Sequence, residues 1–126
     1  MNIRISPYHP EQDYSQLLEV IRGEGEEWRD YLTAAYRLRL AESITYVAFA
    51  DGELCGYVRS MNDAGFFVWV IDLLVDRRFR GHSIGRLLME RVRQDYPEQE
   101  IFVMSDVDAY YTKLGYRKEG SIFKVQ

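Results

Sequence analysis

The sequence has 126 residues, of which 47% are hydrophobic and 14% aromatic, enough to bury the core of one compact domain. Its formal net charge of −4 argues against nucleic acid as the main partner, because binding a phosphate backbone needs a basic surface. The single cysteine, Cys55, excludes an intramolecular disulfide. Because it lies in an alternating stretch, we expect it to be a small core residue.

Nothing in the sequence indicates a membrane or secreted protein. The longest apolar run, from Phe66 to Ile71, is too short to cross a bilayer. The first ten residues lack the apolar segment of a secretory signal. We therefore expect one cytoplasmic domain over residues 1–126, with no membrane partner.

The first third of the chain predicts one strand and two helices. The strand covers Asn2–Ser6, and the first helix is predicted from apolar residues at helical spacing, namely Tyr14, Leu17, Leu18 and Ile21. After an acidic break at Gly23–Glu26, a second helix is predicted from about Glu27 to Glu42. The residues expected on one face of that helix are Tyr31, Ala34, Ala35 and Leu38.

Three strands joined by tight turns are predicted next. Thr45–Ala50 and Glu53–Ser60 flank Asp51-Gly52, a dipeptide typical of two-residue hairpin turns. Phe66–Val75 follows a second turn and is almost wholly apolar. We therefore expect it in the centre of the sheet.

The remaining pattern predicts a strand–helix–strand unit and a short helix. A helix after Val75 is predicted from the apolar residues Ile84, Leu87, Leu88 and Val92. A strand over Glu100–Met104, a helix over Asp108–Leu114 that ends at Gly115, and one or two strands in Tyr116–Val125 complete the chain. The order β-α-α-β-β-β-α-β-α-β predicts an α/β fold with a central mixed sheet flanked by helices, since a strand–helix–strand crossover makes a parallel pair.

The loop between the central strand and the next helix has a composition that favours anion binding. Backbone N–H groups in such a loop and in the first helical turn are free donors at the positive end of the helix dipole. Gly81 and Gly85 let the backbone approach a ligand closely, and Arg77, Arg78 and Arg80 add positive charge. Neither GxxxxGK[ST] nor GxGxxG is present. The residues alone therefore indicate either a diphosphate site of unstated ligand or an ordinary surface loop.

The run VDRRFRGHSIGRLL resembles the acetyl-CoA motif of the GNAT superfamily, R/Q-x-x-G-x-G/A, set between a strand that ends in Val and a Leu-rich helix. Arg80 matches the R/Q position and Gly85 the final G/A, whereas Ser83 stands where the family usually has glycine. Residues 111–116, YTKLGY, resemble the family's second signature, Y-x-K-L-G-F/Y. The resemblance spans about Ile44–Tyr116 and implies the GNAT fold.

The resemblance implies an N-acetyltransferase that moves an acetyl group from acetyl-CoA to a primary amine of a small molecule or peptide. The amine would attack the thioester directly, through a tetrahedral intermediate, and no metal is implied. The strand end and the loop would hold the pantetheine and the pyrophosphate of CoA. The residues so implied are Leu73, Leu74, Val75, Arg80, Gly81, His82, Ser83, Ile84, Gly85 and Arg86.

Two residues are candidates for catalysis. Tyr111 matches the tyrosine that in this family often stands near the CoA sulfur as a general acid, and a phenol with a pKa of about 10 is protonated at neutral pH. The alternative for Tyr111 is a packing role, and Tyr110 is a weaker candidate. Asp72 is the only carboxylate of the central strand, and a buried carboxylate must be hydrogen-bonded or functional. It is a candidate base or substrate ligand, although the family's glutamate position holds Ile71, or else it is structural.

The acceptor side is predicted by analogy. In this family the loop between the first two helices usually borders the acceptor, and here it is Gly23–Trp28. An acidic loop with an aromatic flank could attract a cationic amine, or it could simply be solvated. Fold analogy adds Ser60, Asn62 and Asp63.

Two other functions are compatible with these residues. One is a non-catalytic GNAT-like domain that binds acyl-CoA as a sensor or interaction module. The other is an interaction module without a CoA site. A homodimer is also compatible, because GNAT domains often dimerise and a C-terminal strand with exposed aromatics would allow it.

Overall fold

The computed structural model describes residues 1–126, which form a five-stranded sheet in the order β1-β2-β3-β4-β5. The strands are β1 Ile3–Pro7, β2 Ile44–Ala50, β3 Glu53–Asn62, β4 Phe67–Val75 and β5 Glu100–Val103. The helices are α1 Pro10–Glu24, α2 Ala34–Glu42, α3 Ile84–Asp95 and α4 Asp108–Lys113, with 3₁₀ helices at Glu26–Tyr31 and Arg77–Phe79. Strands β1 to β4 pair antiparallel and β4 pairs parallel with β5. The predicted mixed α/β sheet with flanking helices is confirmed.

The β2–β3 hairpin follows from its two turn residues. Asp51 and Gly52 have φ angles of 49° and 87°, the left-handed pair that a type I′ turn requires and that Asp-Gly tolerates. The backbone N–H of Asn2 donates to Asp51 Oδ1 over 2.9 Å, which also ties the start of the chain to this turn. The predicted turn is confirmed.

Helices cover both faces of the sheet, and each face has its own hydrophobic cluster. The cluster between the sheet and helices α1 and α2 includes Leu17, Ile21, Leu40, Val47, Tyr57 and Leu74. The cluster between the sheet and α3 includes Ala48, Cys55, Val58, Val70, Leu88 and Val92. Cys55 is fully buried and packs there as the small core residue that its alternation predicts.

The predicted helix Glu27–Glu42 is wrong in its extent and in its buried face. A 3₁₀ helix ends at Tyr31, and α2 starts only after Thr33, whose side chain accepts a hydrogen bond from the Tyr36 N–H and so caps a new helix. Tyr36 and Leu40 are the residues that α2 buries. Of the predicted face, Ala34, Ala35 and Leu38 are exposed and Tyr31 is half-buried.

Two further predictions fail at the surface. No strand forms in Tyr116–Val125, and Phe123 and Val125 of this segment are 86% and 95% exposed. On α3, Leu87 is 39% exposed, and Met89 is buried in its place.

None of the helices is both long and apolar enough to cross a membrane.

Two glycines provide a test of sheet packing. A Cβ on Gly56 of β3 would lie 2.9 Å from the Leu74 carbonyl oxygen of β4, whereas a Cβ on Gly23 of α1 would have no neighbour within 4 Å. We expect Gly56→Ala to lower the free energy of unfolding by about 1–3 kcal/mol, as overpacking does. The matched Gly23→Ala should raise it by up to about 1 kcal/mol, because alanine favours a helix. Urea unfolding of both variants measures the difference, and equal effects would contradict the close packing of β3 on β4.

Candidate active site

The candidate site lies where β4 and β5 separate. The two strands pair from Phe67 to Val70, and the Met104 N–H makes the last bond, to the Val70 carbonyl. Beyond Val70, β4 continues for five residues with no strand beside it on this side. The separation leaves a gap next to Ile71–Val75, a segment that includes Leu73, Leu74 and Val75, the residues expected to contact the pantetheine.

A β-bulge in β4 lies at the same point. Val70 pairs with Ser60 and Asp72 pairs with Arg59, so Ile71 has no partner on β3. An extra residue of this kind bends a strand and turns the following side chains to the opposite face. The bulge therefore places Asp72 beside Arg59 on the face covered by α1 and α2.

A cleft of about 210 Å³ occupies this region. Its walls come from β4, the 3₁₀ helix after α1, the segment that follows β5, α4 and the C-terminal segment. The lining residues are Trp28, Tyr31, Ile71, Asp72, Leu73, Met104, Ser105, Asp106, Val107, Tyr111 and Ile122. Both residues predicted to be catalytic, Asp72 and Tyr111, line this one cleft.

Asp72 belongs to a buried polar network. Its Oδ2 accepts 2.7 Å hydrogen bonds from Arg59 Nε and from the Tyr36 hydroxyl, which also lies 2.8 Å from the Tyr57 hydroxyl. Arg59 continues the network to Ser43 Oγ at 3.1 Å. The network supplies the partners that a carboxylate needs when it is 93% buried.

The second carboxylate oxygen of Asp72 faces the cleft. Oδ1 has no hydrogen-bond partner in the chain. The side-chain atom that is both shielded from solvent and without a partner is the Tyr8 hydroxyl oxygen, so Asp72 Oδ1 is not shielded. Oδ1 is therefore accessible, and Asp72 lines the cleft. One oxygen of Asp72 is held by protein groups, and the other is free to accept a hydrogen bond from a ligand.

Charge and burial in the network shift the pKa values of its other members. Burial lowers the pKa of Arg59, but the hydrogen bond and charge of Asp72 outweigh burial and leave it above its ordinary value. Burial, followed by the charge of Asp72, raises the pKa of Tyr36. The same two causes raise the pKa of Tyr31, which lines the cleft. These tyrosines are therefore neutral hydrogen-bond donors over the physiological range.

Tyr111 has a hydroxyl that is free to donate a hydrogen bond. It lies on α4, half-buried, and its hydroxyl has no hydrogen-bond partner within the chain. Burial raises the pKa of Tyr111 to about 12. Gly115, at φ 87°, ends α4, and the Tyr116 N–H donates back to the Tyr111 carbonyl over 3.1 Å, which fixes the helix end.

The loop before α3 contains a row of free backbone donors. Six consecutive N–H groups have no acceptor within the chain, namely those of Gly81, His82, Ser83, Ile84, Gly85 and Arg86. The last three belong to the first turn of α3, at the positive end of its dipole. The geometry therefore matches the anion site that the loop composition indicates.

Ser83 makes the turn without glycine. It adopts the left-handed conformation, with φ 63° and ψ 22°, and its side chain caps no N–H of α3. A left-handed conformation costs a non-glycine residue about 1–2 kcal/mol. The departure from the family's glycine is therefore accommodated as local strain, and the N–H groups stay available.

Carboxylates pair with the arginines of this loop. Arg80 binds Glu24 Oε2 at 2.7 Å and the Val75 carbonyl oxygen at 2.9 Å. Arg77 donates to the Glu24 carbonyl oxygen, and Arg78 contacts Asp76 and Glu53. Arg86 has no ion pair and is the exposed cation of α3's first turn. The groups left free to bind an anion are therefore the backbone N–H groups and Arg86, because Arg80 is already paired with Glu24.

Gly85 is required for the packing of α4. A Cβ at this position would lie 2.1 Å from the Tyr110 hydroxyl oxygen and 3.7 Å from Leu73 Cδ2. The glycine therefore allows Tyr110 to lie against the first turn of α3. It also brings the loop before α3 next to the end of β4.

Several residues of the site could not be chosen from the sequence. Three of them, Arg59, Tyr36 and Asp106, belong to no motif. One signal was available, because Arg59 and Asp72 are charged residues in neighbouring apolar strands, a pattern that indicates a buried ion pair. Ser60, predicted to line the acceptor site, is instead buried and bonded to the Ile44 carbonyl. Asn62, of the same prediction, pairs with Gln99 away from the cleft.

Known proteins resemble this chain in sequence and in fold. The model of the acetyltransferase (GNAT) family matches residues 8–116. An uncharacterized N-acetyltransferase, ycf52, of Pyropia yezoensis is 29% identical over 75 residues, which are 56% of this chain and 43% of that protein. The chain thus spans less than half the length of this curated relative.

Solved structures match nearly the whole fold. The PaiA N-acetyltransferase of Thermoplasma acidophilum, in complex with coenzyme A, is 19% identical with a TM-score of 0.77, over 94% of this chain and 92% of that one. An aminoglycoside acetyltransferase from an uncultured soil metagenomic sample is 24% identical with a TM-score of 0.75, over 100% and 99%. At these identities the likeness concerns the fold alone.

Two buried tyrosines test the network around Asp72. Tyr36→Phe removes hydrogen bonds to Asp72 and Tyr57, and we expect it to lower the free energy of unfolding by about 1–3 kcal/mol. Tyr8→Phe removes a buried hydroxyl without a partner and should be neutral or stabilising. Urea unfolding at pH 7 compares the two, and a loss at Tyr8 equal to that at Tyr36 would contradict the network.

Proposed function

The chain belongs to the acetyltransferase (GNAT) family, and we propose that it transfers an acetyl group from acetyl-CoA to a primary amine. One observation carries the proposal. A cleft that contains both a protonated phenol and a carboxylate oxygen lies beside a separated strand edge, and a loop with six free N–H groups follows the end of the same strand. These are the parts needed to hold a diphosphate, an extended thioester arm and an attacking amine.

The loop residues fit acetyl-CoA as a co-substrate. The N–H groups from Gly81 to Arg86, with the Arg86 guanidinium and the α3 dipole, would bind the pyrophosphate oxygens. The backbone of Leu73, Leu74 and Val75 would hydrogen-bond the pantetheine where β5 has separated from β4. His82 is exposed in the loop and would face solvent or phosphate.

The chemistry assigned to the cleft is acyl transfer without a covalent enzyme intermediate. The neutral amine attacks the thioester carbonyl, a C–N bond forms, the C–S bond breaks, and the nitrogen loses one proton. A free N–H at the end of β4 would polarise the carbonyl. Tyr111 donates its proton to the leaving sulfur, so CoA departs as the thiol, and Tyr111 regains a proton from solvent.

Asp72 is assigned to the amine. Its free Oδ1 accepts a hydrogen bond from the amine nitrogen and directs the lone pair toward the thioester. The proton that the nitrogen releases passes through the same oxygen to solvent. Arg59 and Tyr36 hold Oδ2, so the carboxylate cannot rotate away.

Binding of acetyl-CoA tests the loop. A ligand present at 100 times its Kd should raise stability by about 2.7 kcal/mol and the Tm by several degrees. Gly85→Glu places a negative charge among the N–H groups and a side chain against Tyr110, and we expect it to abolish binding in calorimetry. Gly120→Glu, at a position with no neighbour within 4 Å, is the matched control.

The loop assignment depends on Gly85→Glu remaining folded, which its melting without ligand establishes. If that variant is unfolded, the smaller Gly85→Ala gives the same comparison and should still weaken binding. Wild-type protein that does not bind millimolar acetyl-CoA would overturn the proposed function.

Tyr111→Phe tests the general acid. Because Tyr111 would donate a proton only during turnover, kcat should fall by roughly 10²–10⁴-fold while calorimetry shows acetyl-CoA binding unchanged. The raised pKa of Tyr111, about 12, predicts no alkaline loss of kcat from this group up to about pH 10. Tyr96→Phe, at the end of α3, controls for the substitution itself. If kcat falls in Tyr110→Phe and not in Tyr111→Phe, the general acid would be Tyr110.

A further inference from the structure

We infer that the acceptor is a primary monoamine on an aromatic or branched-alkyl body, as opposed to a polyamine or an amino sugar. The inference rests on the proposed function, because it names the substrate class of the same cleft. It depends on three properties of the cleft: apolar walls, few free acceptors and small volume.

The walls of the cleft are mostly apolar or aromatic. Trp28 and Tyr31 form an aromatic pair, with ring centroids 4.8 Å apart and an angle of 46° between the rings. The opposite walls contain Ile71, Leu73, Met104, Val107 and Ile122. Met104, Val107 and Ile122 are 42%, 56% and 63% exposed, so they present apolar surface that a ligand body would remove from water.

The net negative charge of the cleft matches a single ammonium group. The Ser105 hydroxyl donates to Asp108 and accepts from the Val107 N–H, so it is already used. The remaining carboxylate acceptors are Asp72 Oδ1 and Asp106, which has no ion pair or hydrogen bond in the chain. The Arg59 charge offsets that of Asp72, which leaves one net negative charge for a ligand cation.

Polycations and amino sugars do not match a cleft with apolar walls and one net negative charge. A polyamine carries several ammonium groups, and an amino sugar adds many hydroxyls, all of which need partners when they leave water. The cleft would leave most of them unpaired. Its volume of about 210 Å³ is also below the roughly 300–1,000 Å³ of pockets for drug-sized ligands. One ring with a short aminoalkyl arm satisfies both limits.

Fluorescence of Trp28 provides a binding test that does not depend on turnover. The chain has two tryptophans, Trp28 and Trp69, and Trp69 stacks on Phe102 outside the cleft. In a Trp69→Phe background, Trp28 is the only indole reporter. The probes are 2-phenylethylamine, 2-phenylethanol without the amine, ethylamine without the ring, spermidine and the aminoglycoside sisomicin.

We expect 2-phenylethylamine to change Trp28 fluorescence saturably, with a Kd at least tenfold lower than those of the other four probes. Asp106→Asn should raise the Kd for 2-phenylethylamine several-fold and leave that for 2-phenylethanol unchanged. Glu98→Gln, at an exposed carboxylate outside the cleft, should change neither. Steady-state assays of CoA release should then rank the amines in the same order by kcat/KM.

Three results would overturn the inference: tighter binding of spermidine or sisomicin, no saturable signal with 2-phenylethylamine, or an Asp106→Asn variant that binds the amine like wild type. These results are distinguishable from failure of the proposed function. Turnover of polyamines alone would keep the acetyltransferase and reject the monoamine. Saturable amine binding without acetyl-CoA binding would keep the amine site and reject the acetyltransferase.

Discussion

The hydrogen bonds between β4 and β5 stop at Val70, and the rest of the site depends on that interruption. A continuous parallel ladder would fill the space beside Ile71–Val75 with another strand, and neither a cleft nor a free strand edge would exist. Because β5 has four residues and is followed at once by the Ser105–Val107 turn, the two strands cannot stay paired. The bulge at Ile71 assists the separation by bending β4 at the same residue.

A bulged, half-paired strand needs support from elsewhere, and the network around Asp72 provides it. Arg59 lies on β3 and Tyr36 on α2, so two hydrogen bonds tie the bent part of β4 to a neighbouring strand and a covering helix, and a third joins Tyr36 to Tyr57 of β3. Removing one member would leave buried polar groups unpaired, which costs more than an exposed ion pair is worth. The same bonds orient the free oxygen of Asp72. The network therefore both supports the strand and positions the carboxylate that is proposed to bind the amine.

Patterns that depend on neighbouring residues predicted most of the fold, and patterns that depend on distant ones did not. Asp51-Gly52, Gly115 and the apolar run of β4 determine local structure directly. The partner of Asp72 could not be found that way, because the pairing of Asn62 with Val68, continued evenly, places Arg59 opposite Ile71, and only the bulge places it opposite Asp72. Helical spacing likewise missed the break before α2, where the Thr33 cap overrides a continuous helix. The tail, predicted to form one or two strands, pairs with no strand of the sheet.

The two halves of the candidate site differ in how they would recognise a ligand. On the CoA side the donors are backbone N–H groups, which any sequence can supply if the turn forms, and the chain shows this by making the turn with Ser83. On the acceptor side the contacts would come from side chains, which lie on β4, the 3₁₀ helix, the segment after β5 and the C-terminal segment. A change of acceptor would therefore need substitutions mainly in the last three of these segments, while the backbone of the sheet and the α3 loop stay the same. The chain shares its fold with an aminoglycoside acetyltransferase and a PaiA N-acetyltransferase, so the fold alone does not select an acceptor, and under the proposed function these side chains would do so.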